Sequence, residues 1–261
     1  MNIEVEGIQF NVSISGKSNG PVVVLSHSLC TTLSMWDEQM GVLETDFRVL
    51  RYDTRGHGAS DAPNGAYTLE QLGHDLIGIL NSLGIEKVIF VGLSMGGMIG
   101  QSIALNYPDR IEKIILSSTA AVMGEQLQPV WQDRISRAQN LGMSSLVTEI
   151  LDRWFTPGYL ELKPPSVDRI RQQILATPVA GFVGCSEAIR HLDYLERLGN
   201  IDIPTLIIVG EDDPGTPVAF SQAIHDHIAG SKLQIIPAAR HLCNIEKPDI
   251  FNKVLLDFLR D

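Results

Sequence analysis

KVIFVGLSMGGMIG, residues 87–100, changes character halfway along. Its first half is a continuous apolar run rich in Val, Ile and Phe, the pattern of a strand buried on both faces. Its second half spaces apolar residues as a helix does. At the junction lies Gly92-Leu93-Ser94-Met95-Gly96, a G-x-S-x-G pattern. Between a strand and a helix, that pattern puts the serine on a strained turn with its hydroxyl at the strand tip, and glycine on either side lets neighbouring backbone approach. The helix start also directs backbone N–H groups, that of Met95 first, at the point where an oxyanion would develop. A glycine-rich turn holding an inert serine is the competing reading of these five residues taken alone.

The same strand signature recurs on both sides of this stretch. PVVVLS at 21–26, FRVLRYD at 47–53, RIEKIILSS at 110–118, IPTLIIVG at 203–210 and KLQIIPA at 232–238 all read as buried strands. Residues 5–15 alternate, and a shorter strand precedes them with Glu6 and Gly7 at the turn, so an antiparallel hairpin opens the sheet. Helical periodicity marks 68–83, 95–107 and 248–259. Strands alternating with helices imply right-handed crossovers. The expected fold class is therefore α/β: a mostly parallel, eight-stranded sheet with helices on both faces. Residues 121–200 break the rhythm. They contain amphipathic helical segments punctuated by prolines and no buried-strand run, too long for a loop and too rich in Trp, Leu and Ile for a linker. They read as a helical cap (121–200) set into a core made of 1–120 and 201–261.

Composition narrows the partners. The chain has 261 residues, 44% of them hydrophobic, and a net charge of −11. That balance argues against nucleic acid and against anionic membrane surfaces, which require clustered Lys and Arg. The first residues show no basic region followed by an apolar one, and no apolar run approaches the roughly 18 to 20 residues of a transmembrane helix. Cys30, Cys185 and Cys243 are odd in number and widely spaced, which favours buried free thiols over a disulfide or a metal site. No metal-ligand cluster or phosphate-binding glycine motif appears, so no cofactor is expected. The remaining partner class is a small molecule.

A serine at its free pKa is a weak nucleophile and needs a base. His241 alone follows both an acidic loop and a buried strand, giving the chain order Ser, acid, His. His27 and His57 lie at other strand ends, where they could line the pocket, but neither has the right chain order for the base. His74 and His191 look like ordinary helix residues, and His225 and His227 like solvated ones. For the acid, Glu211, Asp212 and Asp213 compete, and distance from the strand does not separate them. Both acid and base sit at C-terminal strand ends, the edge where parallel sheets place their sites. A second oxyanion donor is expected from the loop after PVVVLS, at the backbone N–H of Leu29.

Three segments then resemble a known family. RYDTRGHGAS at 51–60, the acid loop GEDDPGTP at 210–217 and the histidine loop RHLCNIEKP at 240–248 are similar to those of the α/β-hydrolases. The likeness runs over essentially the whole chain and selects Asp213 as the acid. More narrowly, Ser28-Leu29, Met35-Trp36, GLSMGGMIGQ and HLCNIEKP resemble the 3-oxoadipate enol-lactonases of bacterial aromatic catabolism. Most α/β-hydrolases have glycine where this chain has Ser28, but enol-lactonases of this type tend to carry serine there. The resemblance implies a cytoplasmic, metal-free enzyme that opens the ring of 3-oxoadipate enol-lactone through Ser94, His241 and Asp213. Rival activities on the same fold are a general carboxylesterase, an acyl-homoserine-lactone hydrolase, a C–C bond hydrolase and a cofactor-free perhydrolase; a non-enzymatic ligand receptor is a rival of another class.

Such a lactone is anionic, and a protein of net charge −11 gives it no favourable long-range field, so a local cation is expected. Trp131, Arg134, Ile135 and Ala138 fall at helical spacing, which makes Arg134 the sequence's candidate for the substrate carboxylate. Trp131 and Trp154 are candidates for the pocket wall. A solvated flank arginine and ordinary cap packing are the competing readings. Oligomeric state has no signature in the sequence.

Overall fold

A computed structural model describes residues 1–261. Eight strands form one sheet: β1 (Asn2–Val5), β2 (Ile8–Gly16), β3 (Val22–Ser26), β4 (Arg48–Tyr52), β5 (Val88–Leu93), β6 (Ile111–Ser117), β7 (Thr205–Gly210) and β8 (Lys232–Ile236). Their order is β1-β2-β4-β3-β5-β6-β7-β8. The hairpin β1–β2 and the β2–β4 pair are antiparallel, and every other pair is parallel. At the hairpin turn Glu6 and Gly7 both take positive φ, which ends the first strand at Val5 rather than joining Val5 to the second. Central β5 and β7 are buried at every position, as their unbroken apolar runs require. β8 departs from that pattern. It is an edge strand, so Lys232, Gln234 and Ile235 are exposed although the sequence reads as a run buried on both faces.

Two groups of helices cover the sheet. On one side α2 (Leu69–Ser82) packs on α3 (Met95–Asn106), which lies along β5 and β6, while α9 (Val218–His227) covers β7 and β8. The other group is α1 (Asp37–Leu43), α10 (Cys243–Glu246) and α11 (Pro248–Arg260). Thr68 caps α2, its side chain accepting from Gln71 N, as the Thr-x-Glu start predicts. No helix is long and apolar enough to cross a membrane.

Between β6 and β7 the chain builds five helices and no ladder strand: α4 (Gln128–Leu141), α5 (Val147–Trp154), α6 (Pro157–Glu161), α7 (Pro165–Ala176) and α8 (Val179–Arg190). A single antiparallel bridge, Val122 with Asp193, closes the neck of this insertion, flanked by Met123 N→Leu192 O (2.9 Å) and Tyr194 N→Ala121 O (2.7 Å). α5 shows why the insertion docks rather than floats. Val147, Ile150, Leu151 and Trp154 recur at helical spacing and are all buried. Its C-terminal end is tied to the core by Leu242 N→Trp154 O (3.1 Å), Thr156 N→Glu246 Oε1 (3.0 Å) and a bond from the Arg240 guanidinium to the Asp152 carbonyl. At the opposite side α8 crosses the 53–58 loop backbone to backbone: a Cβ on Gly181 would lie 1.9 Å from Gly56 O, so only glycine fits there. Beneath that crossing, Arg55 and Asp75 form a buried bidentate pair (2.8 and 2.6 Å).

Candidate active site

Ser94 stands between β5 and α3 with φ 57° and ψ −116°, a left-handed backbone that a side-chain-bearing residue adopts only under constraint. The constraint comes from close packing on both sides. A Cβ at Gly92 would lie 2.3 Å from Gly96 O, and one at Gly96 would lie 2.2 Å from Ser26 O. Ser94 N donates to Ser117 O (2.8 Å), and Thr119 Oγ1 donates to Ser94 O (2.8 Å), so the turn is also pinned to β6 and the chain after it. Ser94 opens into a cavity of about 310 Å³ shared with Leu29, Trp131, Arg134, Trp154 and His241. Of the residues considered for the site, Ser94, His241, Leu29, Trp131, Arg134 and Trp154 meet at this one cavity, whereas Met95, Asp213, His27 and His57 are buried and do not line it.

The three carboxylates of the acid loop stand in different surroundings. Glu211 and Asp212 are exposed, and the Glu211 carboxylate accepts from Ala238 N (3.1 Å). Asp213 is buried, and its Oδ2 lies 2.8 Å from His241 Nδ1. The turn that follows is folded around this carboxylate: Gly215 N and Thr216 N donate to Oδ1 (2.7 and 3.0 Å), and Thr216 Oγ1 donates to Oδ2 (2.8 Å). Burial pushes the Asp213 carboxyl upward, but the His241 charge and the bonds from His241 and Thr216 outweigh it and hold it below the usual carboxylate range. An ionised Asp213 fixes the proton on His241 Nδ1 and leaves Nε2 to act as a base. Thr216 escaped the sequence reading, although Asp-Pro-Gly-Thr is a turn signal in which an aspartate bonds the backbone ahead of it. No hydrogen bond joins Ser94 Oγ to the imidazole in this structure; such contacts are often long before substrate binds. The Trp154 ring stacks on His241, centroids 6.2 Å apart at 20°.

His27 and His57 do not line the cavity; both are fully buried behind it and hold its loops. Thr54 N donates to His27 Nε2 (2.9 Å), so His27 carries its proton on Nδ1, which donates to Ser28 O (2.7 Å). Cys30 N likewise donates to His57 Nε2 (3.0 Å). Both rings must be neutral to accept these bonds. Burial lowers the pKa of each, and for His57 burial together with neighbouring His27 brings it to about 3. The left-handed residue of this loop is Cys30, at φ 61°, while Ser28 keeps negative φ, so the side chain at 28 imposes no backbone strain. Leu29 N makes no hydrogen bond, and Met95 N belongs to the first turn of α3, where no helical acceptor exists. These two N–H groups are free to bind an oxyanion. Cys30, Cys185 and Cys243 are buried free thiols, and burial raises Cys243, two residues from His241, to about 12.

The cap residues divide. Trp131 lines the cavity, donates from Nε1 to Met123 Sδ (3.3 Å) and lies under the Arg134 guanidinium at 5.4 Å. Arg134 also lines the cavity, but Glu149 Oε1 takes its Nε and Nη2 at 2.9 and 2.5 Å. Arg153, which no sequence pattern singles out, lines the cavity too and has no hydrogen-bonded or ion-paired partner. Burial, then the nearby Arg134 charge, lowers its pKa.

The chain resembles known proteins along nearly all of its length. The sequence pattern of the alpha/beta hydrolase fold matches residues 21–248. A protein named 3-oxoadipate enol-lactonase 2, from Acinetobacter baylyi, is 37% identical over 96% of this chain and 92% of its own. The crystal structure of the enol-lactonase from Burkholderia xenovorans LB400 superposes with a TM-score of 0.97 at 40% identity, covering 100% of both chains. A thermophilic esterase from Thermogutta terrifontis superposes at 0.92 with 29% identity, over 99% of this chain and 96% of that one. On the strand order, the strained serine turn and these likenesses together, the chain belongs to the α/β-hydrolase family and is a hydrolase.

Proposed function

We propose that this hydrolase opens the ring of 3-oxoadipate enol-lactone, with Ser94 as nucleophile, His241 as base and Asp213 as the carboxylate that orients it. The observation carrying the reading is that His241, paired with the buried Asp213 (2.8 Å), lines the same cavity as the strained Ser94. In the reaction Ser94 Oγ attacks the lactone carbonyl while His241 Nε2 takes its proton. The N–H groups of Leu29 and Met95 receive the oxyanion. When the tetrahedral adduct collapses, the acyl–oxygen bond of the ring breaks, and the enol oxygen leaves with the proton from His241 and ketonises. Water, deprotonated by His241, then attacks the acyl-enzyme; Ser94 recovers its proton and 3-oxoadipate departs. Helices α4–α8 act as the cap that covers the cavity and sheds water. No step calls for a metal or organic cofactor. We take the compartment to be the cytoplasm, in keeping with three free, buried thiols.

The esterase likeness supports a second reading, a carboxylesterase using the same residues. A panel of the enol-lactone, an acyl-homoserine lactone and a neutral nitrophenyl ester separates the two. The proposal expects kcat/KM on the enol-lactone to exceed both others by at least about a hundredfold, the differential transition-state binding that a specific site supplies. Preference for the neutral ester would contradict it.

A further inference from the structure

We infer that Arg153, not Arg134, supplies the cation that receives the substrate's carboxylate, so that the site selects lactones and esters bearing an anionic arm. The inference rests on the serine-hydrolase reading above and deepens it. Two arginines line the cavity, and a single glutamate on α5 decides between them. Glu149 Oε1 accepts two bonds from Arg134 (2.9 and 2.5 Å), and Glu149 Oε2 accepts one from Arg137 (2.8 Å). Arg137 is further held by Ser145 O (2.7 Å). The carboxylate is thus saturated, and the Arg134 charge is compensated inside the protein.

Arg153 sits one helical turn beyond Glu149 on the same helix and makes no bond to it. The other anion close by, Asp213, is committed to His241, Gly215 and Thr216. A half-buried guanidinium with five donors and no acceptor is costly to leave bare, and its planar fork matches a carboxylate in two parallel bonds. A ligand carboxylate would complete it. Its placement suits the chemistry: a Cβ built on Gly215 would lie 3.2 Å from Asp213 Oδ1, 3.3 Å from Arg153 Nη2 and 3.7 Å from His241 Nδ1, so the charge stands beside the Asp213–His241 pair. A carboxylate on Arg153 would hold a short arm of the substrate while the carbonyl lies at Ser94. Arg134, braced by Glu149 and resting on Trp131, is then a positioning residue that keeps α4 and α5 in register.

The test compares wild type with Arg153→Met, Arg153→Lys and Arg134→Met on the anionic enol-lactone and on a neutral ester of similar size. Turnover of the neutral ester, and its loss in Ser94→Ala, checks the serine-hydrolase reading independently. Arg153→Met is expected to lower the ratio of kcat/KM for anion over neutral ester by about tenfold or more, as losing a charge-assisted hydrogen bond does, chiefly through KM. Arg153→Lys should recover part of the ratio. Arg134→Met should lower both substrates together. A ratio within twofold of wild type in Arg153→Met, or a selective loss for the anion in Arg134→Met, overturns the assignment. If Ser94→Ala still turns over the neutral ester as wild type does, the parent reading fails instead.

Discussion

At the scale of single residues, the site depends on which atoms remain unpaired. Asp213 is the one carboxylate of its loop that is both buried and bonded to His241, while Asp212 faces solvent. The sequence could not separate them by position, because three acidic residues follow one strand end and burial of one of them is decided by the turn at Pro214–Thr216. The likeness to a family supplied the choice, and the donors of Gly215 and Thr216 explain it. Asp213→Asn is expected to lower kcat by about 10³-fold or more, since the amide offers a donor where His241 Nδ1 needs an acceptor and so disturbs the tautomer. Asp212→Asn should leave kcat within twofold of wild type. Steady-state kinetics on both variants checks this, and the reverse ranking would show the acid to be misassigned. Arg153 was illegible for a different reason. Its lack of a partner is a property of where Glu149 points, which no spacing along α5 reveals.

At the scale of elements, the β/α rhythm was readable because period and burial are local, and β5 with α3 shows both halves of the rule. β8 misled because an apolar run does not say whether a neighbouring strand exists. The roles of His27 and His57 were hidden for a similar reason: each joins loops far apart in sequence, with ring centroids 5.2 Å apart. Their neutrality makes stability depend on pH. Folded His57 holds its proton only near pH 3, whereas the unfolded chain takes one up at the ordinary histidine value of 6.5. Between those limits the unfolded state binds more protons, so the contribution is fully present above 6.5 and is lost as pH falls toward 3. Going from pH 7.5 to pH 5 should cost about 2 kcal/mol through His57 alone, and His27 adds in the same direction. Urea midpoints at the two pH values measure it. In His57→Gln the slope with pH should flatten, and an unchanged slope would place the acid sensitivity elsewhere.

At the scale of the whole molecule, four separate stretches converge on one cavity: the serine turn, the acid loop after β7, the histidine loop after β8, and the helices inserted between β6 and β7. The parallel sheet brings the first three to one edge, and the insertion closes over it because α5 buries an apolar face and is bonded to the histidine loop through Trp154 and Asp152. On the proposed reading, Arg153 gives a chain of net charge −11 a local field of opposite sign for a small anion. The proposed reading makes Ser94 the nucleophile, and hydrolysis of the enol-lactone by wild type and Ser94→Ala, with Ser94→Ala/His241→Ala beside them, tests that role most directly. The account predicts that Ser94→Ala loses about 10⁴-fold or more in kcat and that the double variant loses little beyond it, because residues acting as one unit are strongly non-additive. Turnover by Ser94→Ala within tenfold of wild type would contradict it.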